Sequence, residues 1–174
     1  MYDIQINNEQ QQLPLSNELL RQIVSHVLTA ENVQSAEISI AVVDNPTIWR
    51  LNRRHLNHDY ATDVLSFLLD CQPATELNAS FSATQLRGAG KSISGEVIVS
   101  ADMARDMAAQ YHWTGQDELC LYLVHGMLHL CGYDDLCPEE QAIMRHRERA
   151  ILQHWNLIPH YADFSAPAAT EGAS

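Results

Sequence analysis

Apolar residues recur along this chain at two periods, and the switches between them lay out its elements. Tyr2, Ile4 and Ile6 alternate with polar neighbours, which predicts a half-buried strand. Past Leu13-Pro14, residues Leu19, Leu20, Ile23, Val24, Val27 and Leu28 return at helical spacing, with Ser16 placed to cap the helix. Ile38, Ile40 and Val42, with Ala41 and Val43 between and after them, predict a more buried strand. It ends at Asp44-Asn45-Pro46, a turn that opens a short helix to about Arg54. Thr62 to Leu69 reads as a third strand, residues 70–94 as a polar, Gly-bearing loop, and Gly95 to Val99 as a fourth strand. With no crossover helix between them, the third and fourth strands are expected to be antiparallel. Ser100 caps a helix to about His112, and Thr114 caps another from about Gly115 to Leu130, with Asp117 and Glu118 in its first turn. Pro138 begins a last helix to about Trp155. The pattern predicts one α/β domain over residues 1–158, without repeat or linker, and a flexible tail over 159–174.

Composition narrows the class. A chain of 174 residues, 46% apolar with 7 Gly and 6 Pro, has enough material for one globular core. No apolar run approaches the length that spans a bilayer, and Met-Tyr-Asp-Ile-Gln-Ile lacks the basic and apolar regions of a signal peptide. A cytoplasmic protein is the expectation, with Cys71, Cys120, Cys131 and Cys137 as reduced thiols. Twenty-two acidic against ten basic residues give a net charge of −12, which argues against nonspecific nucleic-acid binding through phosphate neutralisation. The cations are clumped, as Arg50, Arg53 and Arg54 and as Arg145, Arg147 and Arg149. Each clump reads as a solvated helix face before it reads as an anion patch.

The candidate chemistry lies in His125-Gly-Met-Leu-His129-Leu-Cys-Gly132-Tyr-Asp134-Asp135. Two imidazoles four residues apart project from one helix face, a common way to present two ligands of one divalent metal. Gly132 can end the helix with a positive φ and turn the chain back, bringing Asp134 and Asp135 within reach of the metal. Pairs of His at this spacing also occur by chance, but the run Leu119 to Val124 makes this helix largely buried, and buried imidazoles need partners. A thiolate ligand from Cys131 or Cys137 ranks below the Asp, because Cys131 points a different way from the two His and Cys137 lies beyond Asp135. A thermolysin-like protease would carry Glu after the first His; Gly126 stands there and cannot take a proton. Three protein ligands leave a fourth tetrahedral position for water. The general base is not legible, and Asp134 reads as a turn former or a partner to a ligand His. Trp49, Trp113 and Trp155 read as packing anchors, and His112, His146 and His154 as exposed.

Three blocks in order, Leu51-Asn52 with Thr62-Asp63-Val64-Leu65-Ser66-Phe67, then Gly95-Glu96-Val97-Ile98, then His125-Gly-x-Leu-His129-Leu-x-Gly132-Tyr133-Asp134, resemble the YbeY family of metal-dependent endoribonucleases. The resemblance implies a small mixed four-stranded sheet with about five or six helices and a zincin-like metal helix. It also implies one zinc ion (Zn2+), single-strand-specific RNA cleavage, and a role in small-subunit ribosomal RNA maturation and ribosome quality control. Ribosomal RNA and the small ribosomal subunit are the implied partners, with no membrane and no organic cofactor. Carried over, His125 and His129 match the first two zinc ligands. The family's third ligand is a His directly after the Tyr-Asp pair, where this chain has Asp135; zinc accepts such an oxygen at about 2.0–2.2 Å. A shorter, anionic ligand would suit a harder ion such as Mn better. An Arg associated with activity in the family aligns with Leu56, and the usual Asp of the Gly-Asp-Ile block is Glu96. Asp63 and Ser66 would face the cleft if their strand is the edge above the metal. The other readings are a metal-dependent hydrolase of a peptide or small molecule and a noncatalytic ribosome-associated factor with a structural zinc.

Overall fold

The computed structural model of the protein describes residues 1–73 and 86–161. The elements run β1 (Tyr2–Asn8), α1 (Asn17–Ala30), β2 (Ser35–Val43), α2 (Asn45–Leu56), β3 (Val64–Gln72), β4 (Ser92–Ser100), α3 (Ala101–Tyr111), α4 (Gly115–Cys131) and α5 (Pro138–Leu152), closing on a 3-10 turn at Gln153–Trp155. The caps are those the sequence predicts. Ser16, Ser100 and Thr114 each accept a backbone N–H of the first turn, and Thr114 and Asp117 form a reciprocal capping box.

The sheet order is β1-β2-β4-β3. β1, β2 and β4 are parallel, with Ile4 beside Ile38 and Ile38 beside Gly95, whereas β3 runs antiparallel to β4 with Val64 beside Val99. Parallel neighbours need crossovers, which α1 supplies between β1 and β2. One face of the sheet carries the main core, in which Ile38, Ile40, Val97 and Val99 meet α1 and α4 through Val24, Val27, Leu123, Val124 and Met127. On the opposite face a smaller cluster of Ile48, Leu65 and Ile98 seats α2. α4 is therefore enclosed on nearly every side, which is why its sequence is apolar all round rather than striped.

β3 and β4 are longer than their apolar runs predict. β3 continues to Gln72 and β4 starts at Ser92, so both ends of the expected loop 70–94 are paired strand, with a register shift between Leu68 and Asp70. Ladder hydrogen bonds hold the polar Asp70, Gln72, Ser92 and Ser94 in strands, and the single buried Ile93 is too short an apolar signal to extend β4 by itself. Residues 74–85 of that loop lie outside the described residues. The tail expected from Pro159 begins differently as well. Pro159 is buried, and His160 and Tyr161 are half-buried against α4 and α5; residues 162–174 lie outside the described residues. Among the described residues, no helix is long and apolar enough to cross a membrane.

Candidate metal centre

Burial against the sheet fixes α4, and its close approach there depends on Gly126. A Cβ at that position would stand 2.7 Å from Val97 Cγ1 and 2.9 Å from Val64 Cγ2. The residue after the first His thus packs into the sheet, and no Glu base fits there. Gly132 ends the helix at φ +106°, and the Gly132 and Tyr133 N–H groups return to the carbonyls of His129 and Leu128. That turn carries Asp135 back over the two imidazoles.

His125, His129 and Asp135 are the one group among the described residues that could hold a metal ion, with candidate ligand atoms all within 4.8 Å of one another. The two Nε2 atoms are 3.0 Å apart. The Asp135 carboxylate lies 3.6 Å from His125 Nε2 and 3.8 Å from His129 Nε2. The far ring nitrogens set the tautomers. His129 Nδ1 faces the Tyr133 carbonyl at 3.0 Å, and a carbonyl only accepts, so Nδ1 carries the proton. His125 Nδ1 lies 2.6 Å from Glu148 Oε1 and donates to that carboxylate. Both Nε2 atoms therefore face one point, where either a shared proton or a metal ion satisfies them. Two nitrogens on one tetrahedral zinc are separated by roughly 3.3 Å, so the pair fits a single ion. Burial lowers the His125 pKa, but the Glu148 hydrogen bond and the charges of Glu148, Asp63 and Asp135 outweigh it and leave it raised. The site attracts positive charge.

Alternative ligands fall away. Asp134 Oδ1 accepts the N–H groups of Asp135 and Leu136, so it builds the turn, as its local pattern predicts. Burial pushes the Cys131 thiol up to about 12, and Cys137 is exposed at the start of α5. Glu96 lies on the strand face away from α4, because its neighbours Gly95 and Val97 are the residues that meet α4.

A cleft of about 490 Å³ opens beside the cluster, bordered by Thr62, Asp63, His125, Asp135, Glu148 and Tyr161. β3 is the sheet edge there, as expected of the strand above a metal helix, and Asp63 lines the cleft while Ser66 does not. Asp63 Oδ1 accepts the Val64 N–H and the Thr62 hydroxyl, each at 2.9 Å, which fixes the carboxylate at the rim.

The arginine clumps divide. Arg50, Arg53 and Arg54 are exposed on α2, Arg53 lying over Trp49 at 5.6 Å. The second clump is solvated at Arg149 and partly buried at Arg145 and Arg147. Arg147 makes a short ion pair with Glu31, which is 0% exposed and also accepts the Tyr133 hydroxyl. Arg145 and Arg149 stack on Tyr161, at 4.6 and 5.0 Å from the ring centre. Glu148 is the site residue whose role the pattern did not reveal. Its signal is a carboxylate on the stripe of Met144, Ile151 and Leu152, a buried position that demands a polar partner.

A four-stranded mixed sheet over a buried His-x-x-x-His helix, with a carboxylate folded back onto it, defines a small α/β protein with a zincin-like helix. The chain belongs to the YbeY family: the family description Endoribonuclease YbeY matches residues 5–156. Relatives named Endoribonuclease YbeY include one from Salinibacter ruber, 40% identical over 76% of this chain and 79% of its own length. Another, from Lysinibacillus sphaericus, is 35% identical over 80% of this chain and 86% of its own. The solution structure of TM1509 from Thermotoga maritima aligns with a TM-score of 0.53 at 21% identity, over 87% of this chain and 91% of that one, and supports the fold.

Proposed function

We propose that this chain is a single-strand-specific endoribonuclease of small-subunit ribosomal RNA maturation in the cytoplasm, with one zinc ion held by His125, His129 and Asp135. The observation that carries the reading is the convergence of two Nε2 lone pairs at 3.0 Å, each imidazole locked from behind, by Glu148 and by the Tyr133 carbonyl. The ion would supply Lewis-acid polarisation of a phosphoryl oxygen and a lowered pKa for bound water. The chain's own residues do the rest. Glu148 and Tyr133 hold the ring planes, and α4's burial keeps the two His side by side. Asp63 presents a carboxylate at the cleft rim, placed to accept a proton during attack. The relatives' name, Endoribonuclease YbeY, supports RNA as the substrate class. Among the described residues, the cation that lines the cleft and could meet a phosphate is Arg145.

The test joins metal content to cleavage. Wild type, His129→Ala and Asp135→Ala are assayed for bound metal and for cutting of single-stranded and duplex segments of small-subunit ribosomal RNA, with and without chelator. The expected result is one ion and single-strand cutting in wild type, both lost in the variants and on chelation. Metal retained in Asp135→Ala removes that residue from the set. Metal bound without cutting favours the noncatalytic ribosome factor, a reading motivated by Leu56, which stands exposed at the end of α2 where the family has Arg.

A further inference from the structure

Tyr161 lies in the stretch whose sequence predicts a frayed tail, yet its hydroxyl is in the polar network behind the metal cluster. It donates to Glu148 Oε2, while Oε1 of the same carboxylate accepts His125 Nδ1–H at 2.6 Å. Glu148 is 2% exposed, and its two oxygens are thus divided between the imidazole in front and the phenol behind. Burial and the Glu148 charge push the Tyr161 phenol up, so it stays a donor across the physiological range. Arg145 and Arg149 of α5 both stack on the ring. The residue before it is anchored independently: His160 reaches the buried Glu118 of α4 at 2.8 Å and stacks on Tyr111 with ring centres 3.5 Å apart. Two successive side chains of the segment after the last helix therefore satisfy two buried carboxylates, one on α4 and one on α5.

We infer that Tyr161 is a positioning residue of the metal site, acting through Glu148 on the orientation and donor strength of His125. The inference rests on His125 being a metal ligand. A carboxylate with one oxygen unpaired in a buried site swings or relaxes toward another donor. With both oxygens engaged, it is fixed, and the His125 ring with it. His160 and Tyr161 then belong to the working site rather than to a disposable tail.

The test uses Co2+ as a spectroscopic probe on the full chain. Affinity and the visible d–d spectrum are measured for wild type, Tyr161→Phe, Glu148→Gln and the double variant. Tyr2→Phe controls for loss of a hydroxyl bonded far from the site, to the Val33 carbonyl. Partners that orient a ligand His are typically worth 10–100-fold in affinity, and Tyr161 stands one bond farther away, so about a 3- to 10-fold loss is expected for Tyr161→Phe, with an altered spectrum. In Glu148→Gln, where the carboxylate is gone, removing the hydroxyl should have no further effect on affinity. Wild-type affinity and spectrum in Tyr161→Phe, or an equal loss in both backgrounds, would overturn the inference. Failure of wild type to bind Co2+ would instead remove the metal reading itself.

Discussion

At the scale of single residues, the site depends on positions where little can change. Gly126 is one. The methyl group of Ala would meet the γ-carbons of Val97 and Val64 inside 3.0 Å, and β-branched neighbours in a sheet have one comfortable rotamer and cannot step aside. Overpacking of this kind costs about 1–3 kcal/mol, partly offset by the roughly 1 kcal/mol that Ala gains over Gly in a helix. Gly126→Ala is therefore expected to lower stability by about 1 kcal/mol in chemical denaturation. It should lower metal affinity too, because the helix must lift from β3 and carry His125 away from the cleft rim. A Gly126→Ala protein at least as stable as wild type would show that the contact is looser than the structure has it.

At the scale of elements, α4 is the piece on which the rest converges, and its two ends are its weak points. The N-terminus is closed by Thr114 and Asp117; the C-terminus depends on Gly132, whose φ of +106° is costly for any residue with a Cβ. Gly132→Ala should cost about 1–2 kcal/mol. It should also weaken metal binding, since the next residue, Tyr133, lends its carbonyl to His129. Isothermal titration with zinc against unfolding of the metal-free form separates these effects: a loss of stability with unchanged affinity would sever the turn from the site. This end of α4 was legible in the sequence because all its information is local. Two His at i, i+4, a Gly three residues later and a carboxylate just beyond lie within one short stretch, and the structure brings them together as that spacing implies. What was not legible is long-range. The extra residues of β3 and β4 are mostly polar, with Ile93 as their one core side chain, and join strands through each other, and Glu148 and Tyr161 reach His125 from 23 residues away or farther. The Arg147–Glu31 pair spans 116 positions and draws one arginine of a clump that reads as surface charge into a half-buried clasp between α5 and the end of α1.

At the scale of the whole molecule, charge and proton binding act against each other. The net charge of −12 repels itself at neutral pH, and acidification toward the isoelectric point near 5.0 relieves that repulsion. His26 pulls the other way. It stacks on His154 with ring centres 4.0 Å apart and packs edge-on to Trp155. Burial first, then the neighbouring charges of His154 and Arg147, lower its pKa from the ordinary 6.5. The folded state thus binds fewer protons at His26 than the unfolded state, and by linkage the stability this group permits is fully present above pH 6.5 and is lost as pH falls through the folded pKa. Glutamine at this position keeps a polar side chain without titrating. His26→Gln should therefore lose less stability than wild type between about pH 7 and pH 5, measured as the shift in urea midpoint at each pH, while the two proteins run parallel above about pH 7.5. Parallel curves across the whole range would mean that the His26–His154 stack opens to water on protonation at no cost to the fold, and that the acid limb belongs to the carboxylates alone.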